Sequence, residues 1–150
     1  MAIFKLIHLL SVVVWIGGMF FAYTVLRPSA AEVLQAPERL QLWDKVFCRF
    51  FNWVWIAAFL TLVSGLYMIY QYGGVRFVPH YVHLMLLLGI VMLLVFVYVF
   101  FVQYVRFHLA VAAKDWPKAG AILATIRKLV ASNLLIGTMT FCVAVLGASF

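Results

Sequence analysis

Two of the four histidines, His8 and His83, lie inside long apolar runs of the chain, where an ionisable side chain is costly and marks a functional site. His8 is about five residues, and His83 three or four, from the same end of two runs that travel in the same direction. At about 1.5 Å of rise per residue their imidazoles fall at nearly one depth. Two neutral imidazoles at matched depth can hold one metal ion from opposite sides, and the iron of b-type haem is the metal most often held so in a helical bundle. The residues around them suit a flat apolar ring. His8, Ser11, Trp15, Gly18 and Ala22 recur at steps of three and four, which places them on one helix face. Thr61, Ser64, Gly65 and Met68 fall at the same level on the second run, and Thr140, Ala144 and Gly147 on the fourth. Lys5 and Arg76, with His80, stand where haem propionates would reach the surface.

Other readings of these side chains remain open. His80 shares a face with His83 and is the alternative ligand, although it directly follows Pro79 in the head-group zone. His108 is at the opposite end of the third run beside Arg106 and reads as an interface residue. Copper is the competing metal, because Met68 and Met85 lie near the level of His8 and His83 and thioethers favour the cuprous ion. Methionine also fills gaps in apolar interiors, small residues in spans let helices approach, and a lone histidine near an interface often bonds a helix end. Asn133 and Thr138 read as helix–helix hydrogen-bonding residues. The sequence shows no nucleotide-binding glycine loop and no nucleophile–histidine–carboxylate set. With no carboxylate in any apolar run, a transporter-type proton relay has no carrier.

The elements that must position these groups follow from composition. Of 150 residues, 68% are hydrophobic and 10% charged, too apolar for a water-soluble domain. A membrane-crossing helix needs about 20 apolar residues to cover roughly 30 Å of hydrocarbon. Four stretches satisfy this, at about 3–26, 50–72, 81–105 and 129–150, and they predict one all-α, integral membrane four-helix bundle. The run from Leu6 to Leu26 is longer than a signal-peptide core and ends at Arg27-Pro28, like a stop-transfer flank. Nine basic residues, Arg27, Arg39, Lys45, Arg49, Arg106, Lys114, Lys118, Arg127 and Lys128, lie in the two connections on one side, as do all four acidic residues. Lys5 and Arg76 alone lie on the other. The positive-inside rule therefore predicts both termini on the non-cytoplasmic side. The basic excess describes topology and contact with the lipid bilayer's anionic head groups, and it is no argument for nucleic acid. Cys48 and Cys142 fall at different depths and read as buried free thiols.

The first basic connection, Arg27 to Arg49, predicts an amphipathic segment from Pro37 lying at the interface. In the second, Pro117 suits a first helical turn, and a helix starting there is expected to run through Arg127 into the fourth span. The short outer link with Gly73-Gly74 and Pro79 predicts a tight antiparallel pair of spans 2 and 3. Aromatic residues at Phe50, Phe51, Trp53 and Trp55, and at Tyr67, Tyr70 and Tyr72, read as interface anchors.

The run Leu6-Ile7-His8-Leu9-Leu10-Ser11 leading to Trp15-Ile16-Gly17-Gly18-Met19, the entry to span 3 at His80 to His83, and Ile126-Arg127-Lys128-Leu129-Val130 followed by Asn133 and Gly137 together resemble small CopD-type membrane proteins. These are related to the HemJ-type protoporphyrinogen oxidases, four-span proteins associated with b-type haem. The resemblance implies a haem-binding or copper-handling protein of the bacterial inner membrane, with His8 matching the family's span 1 histidine. The HemJ pattern carries a basic residue near the start of span 3, where this chain has His83, Leu84 and Met85. The sequence reading is thus a bundle holding haem b through His8 and His83 and passing electrons between the quinone pool and a membrane redox partner. Copper transport or delivery is the first alternative, and a non-catalytic assembly subunit the second. Apolar outer faces and glycine-rich stripes also suit a homo-oligomer.

Overall fold

In a computed structural model, described here for residues 1–149, the chain is helical throughout and contains no strand among those residues. Phe150, counted in the fourth expected span, lies outside them. Four helices are long and apolar enough to cross a membrane: α1 (Ala2–Val33), α2 (Ala36–Gln71), α3 (His80–Ala112) and α4 (Trp116–Gly147). They extend past the expected spans at the basic end. Only Leu34 and Gln35, both extended, separate α1 from α2, and the segment expected to lie at the interface is the first part of α2. The α4 helix begins at Trp116, where the Asp115 carboxylate accepts from the Lys118 amide and Pro117 occupies the first turn. It runs unbroken through Arg127, as its sequence predicts.

Arg27-Pro28 does not end the first helix. A π-helical turn, Ala22–Leu26, precedes it, with the Arg27 amide bonding to the Ala22 carbonyl. A proline ring inside a helix clashes with the carbonyl four residues back, here that of Thr24, and the wider turn accommodates it. A second π turn, Val99–Tyr104, interrupts α3 at the corresponding end.

The bundle is two helical hairpins. α1 packs chiefly on α2, and α3 chiefly on α4. The expected tight pairing of α2 with α3 is not formed, because the link carrying Gly73 and Gly74 at positive φ joins helices that meet mainly in their basic halves. There the contact is aromatic. Phe47 meets Phe107 edge-on at 5.8 Å, Phe51 meets Phe96 at 5.7 Å, and Trp55 meets Phe96 and Phe100 at 5.0 and 5.5 Å. Such pairs contribute about 0.5–1.5 kcal/mol each beyond area burial, which matters in lipid, where helices gain no hydrophobic drive to associate. Phe51 and Trp55 are therefore packing residues, whereas Trp53, Tyr70 and Tyr72 are exposed as anchors would be. Beyond Met92 towards the terminal end α3 buries no residue, and beyond Gly137 neither does α4. Both cysteines are free, as expected, but exposed rather than buried.

Candidate functional site

Of the stripe expected on α1, Ser11, Trp15 and Ala22 are buried and His8 and Gly18 half-buried, while Met19, outside that stripe, is buried beside them; Ser11 gives its hydroxyl proton to the Ile7 carbonyl. His8 continues this stripe towards the terminal end and turns to α2. Its Nδ1 lies 3.0 Å from the Thr61 carbonyl oxygen and 3.1 Å from Ser64 Oγ. A carbonyl can only accept, so Nδ1 carries the proton and Nε2 keeps its lone pair. Ser64, almost fully buried, gives its own proton to the Leu60 carbonyl and so accepts from the imidazole. Gly65 faces the ring, with room for a Cβ only 3.2 Å from Cε1. One turn nearer the terminus, Phe4 stacks on Tyr67 at 3.8 Å and closes the helix contact. Thr61 Oγ1 is buried there without a hydrogen-bond partner. Met68, one turn beyond Ser64 on α2, is half-buried, as is Met85 on α3.

The remaining candidates are looser. His83 is exposed, and its Nδ1 bonds the Pro79 carbonyl of its own helix at 3.2 Å, again leaving Nε2 free. His80 is exposed one turn away, the two rings 6.2 Å apart. Lys5 and Arg76 are exposed.

The fit of a haem is tested by the stripe below His8. Gly18 is covered by the Phe50 ring, so that an added Cβ would lie 2.3 Å from Phe50 Cε2. Trp15 meets Phe96 edge-on at 6.1 Å. The cavity between Trp15, Met19, Phe50, Phe96 and Asn133 measures about 20 Å³, the room of a single water. The space at Gly18, expected to pass a porphyrin edge, is thus occupied by the Phe50 ring, and the Nδ1–Cε1 edge of His8 faces α2 rather than α3. This stripe does not fit haem. A bare metal ion needs no such slot.

One pair escaped the sequence reading. At the basic end the buried Asp44 carboxylate accepts from His108 Nδ1 at 2.8 Å, giving the histidine read as an interface residue a partner on another helix.

A family model described as copper resistance protein D matches residues 44–146. The match spans α2 from Asp44 through α3 and nearly all of α4, taking in Thr61, Ser64, Gly65 and His83, and begins after His8. No curated protein and no solved structure matches the chain. A match over well more than half of its length decides the assignment, and the chain belongs to the copper resistance protein D (CopD) family.

Proposed function

We propose that this chain is a copper-handling protein of the bacterial inner membrane that holds the cuprous ion through His8 near the outer surface, with its basic end in the cytoplasm. The observation that carries the reading is the bond from His8 Nδ1–H to the Thr61 carbonyl. A backbone acceptor on one ring nitrogen fixes the tautomer, raises the basicity of the other and orients it as a ligand. Imidazole and thioether donors suit copper, and Met68 and His83 are the side chains from which further ligands would come. The unpartnered Thr61 hydroxyl adds a polar group beside the imidazole. Copper here is cargo, and the chemistry is ligand exchange, with no change of oxidation state required.

The test is a cuprous titration of the detergent-purified protein against a chromogenic chelator, together with its absorption spectrum. Wild-type protein is expected to be colourless and to retain copper. His8→Ala should lose affinity by more than the roughly 10–100-fold that removal of a supporting residue costs. A red protein with a Soret band that vanishes in His8→Ala or His83→Ala would reverse the choice and restore the redox reading, with its quinone or membrane electron partner. Protein that binds neither metal would leave an assembly subunit.

A further inference from the structure

At the basic end the architecture of the His8 site recurs with different parts. His108 on α3 gives its Nδ1 proton to Asp44 on α2, 2.8 Å away. The carboxylate is buried, whereas the imidazole side chain is 57% exposed. A buried acceptor that fixes one ring nitrogen while the ring stands open is the arrangement that presents Nε2 to a metal. In both cases α2 supplies the acceptor, to α1 at one end of the bundle and to α3 at the other. Two further groups lie one helical turn away on the same helices: Cys48 follows Asp44, and Tyr104 precedes His108.

Beside the pair is an open cleft of about 580 Å³, lined by Glu38, Leu42, Lys45 and Val111 as well as by Asp44 and His108. Its volume falls within the roughly 300–1,000 Å³ of small-molecule sites. Among the described residues no three imidazole, thiol or carboxylate groups converge on one point. The protein alone therefore does not cage an ion here. An incomplete donor set beside a cleft is what a hand-over requires: the cuprous ion accepts low coordination numbers, and a soft thiolate from a second molecule can supply the missing ligand.

We infer that His108, positioned by Asp44, is a second, basic-end copper ligand that shares the cuprous ion with the thiolate of a small thiol, bearing an ammonium and carboxylates, seated in the adjoining cleft. The inference rests on the copper reading above but not on His8. Transfer is a ligand substitution at Cu(I): the incoming nitrogen or sulfur donor forms its bond as the outgoing one leaves, and no electron moves. Lys45, exposed at the cleft, supplies a cation for a carboxylate of the thiol, and Glu38 in the same lining an anion for its ammonium group.

The experiment uses the full-length protein in detergent, with Cu(I) supplied in glutathione buffer and bound copper read by chelator competition. His8→Ala is expected to retain copper at the basic end, and its copper K-edge absorption should show nitrogen and sulfur donors together. Adding His108→Ala or His108→Gln should abolish that binding, and Asp44→Asn should weaken it by about 10–100-fold. The glutamine variant keeps the side chain's bulk, and helical content measured on every variant separates lost ligation from lost fold. Unchanged binding on removing His108, or sulfur-only coordination, overturns the inference. If His8→Ala alone removes all copper, the basic-end site falls while the proposed function stands. If His108→Ala removes all copper and His8→Ala none, the outer site falls and the basic-end site stands. Wild-type protein that binds no copper overturns both.

Discussion

Gly65 lies so close beneath the His8 imidazole that a methyl group on it would sit 3.2 Å from Cε1. Contact at that distance forces the ring to yield by a few tenths of an ångström, and the bonds of Nδ1 to Thr61 and Ser64 are what it would yield against. Alanine is also better than glycine in a helix by about 1 kcal/mol. Gly65→Ala is accordingly expected to leave Tm unchanged or slightly raised while cuprous affinity falls by about tenfold, the lower end of losses from a disturbed supporting shell. Thermal melts run beside copper titrations check this; equal affinities in the two proteins would detach Gly65 from the site.

Two adjacent glycines on α1 should behave in opposite ways. A Cβ at Gly17 meets nothing within 4 Å, whereas one at Gly18 would lie 2.3 and 2.8 Å from Phe50 ring carbons. Gly17→Ala should be neutral or stabilising by up to about 1 kcal/mol. Gly18→Ala should cost about 1–3 kcal/mol, the range for overpacking a filled interior. Unfolding of both variants in mixed micelles gives the comparison, and equal midpoints would count against the Phe50 contact.

Asn133 is buried with its Nδ2 donating to the Met92 carbonyl at 3.3 Å and its Oδ1 without a partner. Interhelical hydrogen bonds in membranes contribute only about 0.6 kcal/mol on average, less than the roughly 1–3 kcal/mol cost of an unsatisfied buried acceptor. Asn133→Leu, which also fills part of the small cavity beside it, is therefore expected to hold or raise stability. A loss above about 2 kcal/mol, outside this balance, would mean that an internal water completes the amide.

Phe107 is fully buried where α2 and α3 meet, whereas Phe101, on the same helix, is 59% exposed. Phe107→Ala should cost about 3–5 kcal/mol, the usual result of emptying a core aromatic. Phe101→Ala should cost far less, because lipid replaces most of what it touches. Similar costs would mean that the aromatic contact at the basic end does not organise the bundle.

What the sequence made legible was periodic or compositional. The four helices follow from apolar length, the inward stripe of α1 from steps of three and four, and the start of α4 from Asp115 and Pro117. The departures arise where a residue's role depends on another helix. Phe51 and Trp53 look alike as interface aromatics, yet two residues along a helix face different neighbours, and only Phe51 finds the α3 rings. Pro28 reads as a stop, but the π turn before it takes up the clash. The stripe on α1 implied space for a disc, and the residues that fill it, Phe50 and Phe96, come from α2 and α3. The link between Asp44 and His108 depends on the relative register of α2 and α3, which spacing along one chain does not encode.

The division into two hairpins decides where the polypeptide tolerates a cut. Leu34 and Gln35 give α1 and α2 almost no slack, and three residues do the same for α3 and α4, so each half carries its own built-in closure. The glycine-bearing link between α2 and α3 only tethers one half to the other, and lengthening such a tether costs little, about 0.6 kcal/mol per doubling. Severed between Gly73 and Gly74, the two pieces should still insert separately and reassociate through their interlocked rings, whereas a break at Leu34 would leave α1 an orphan.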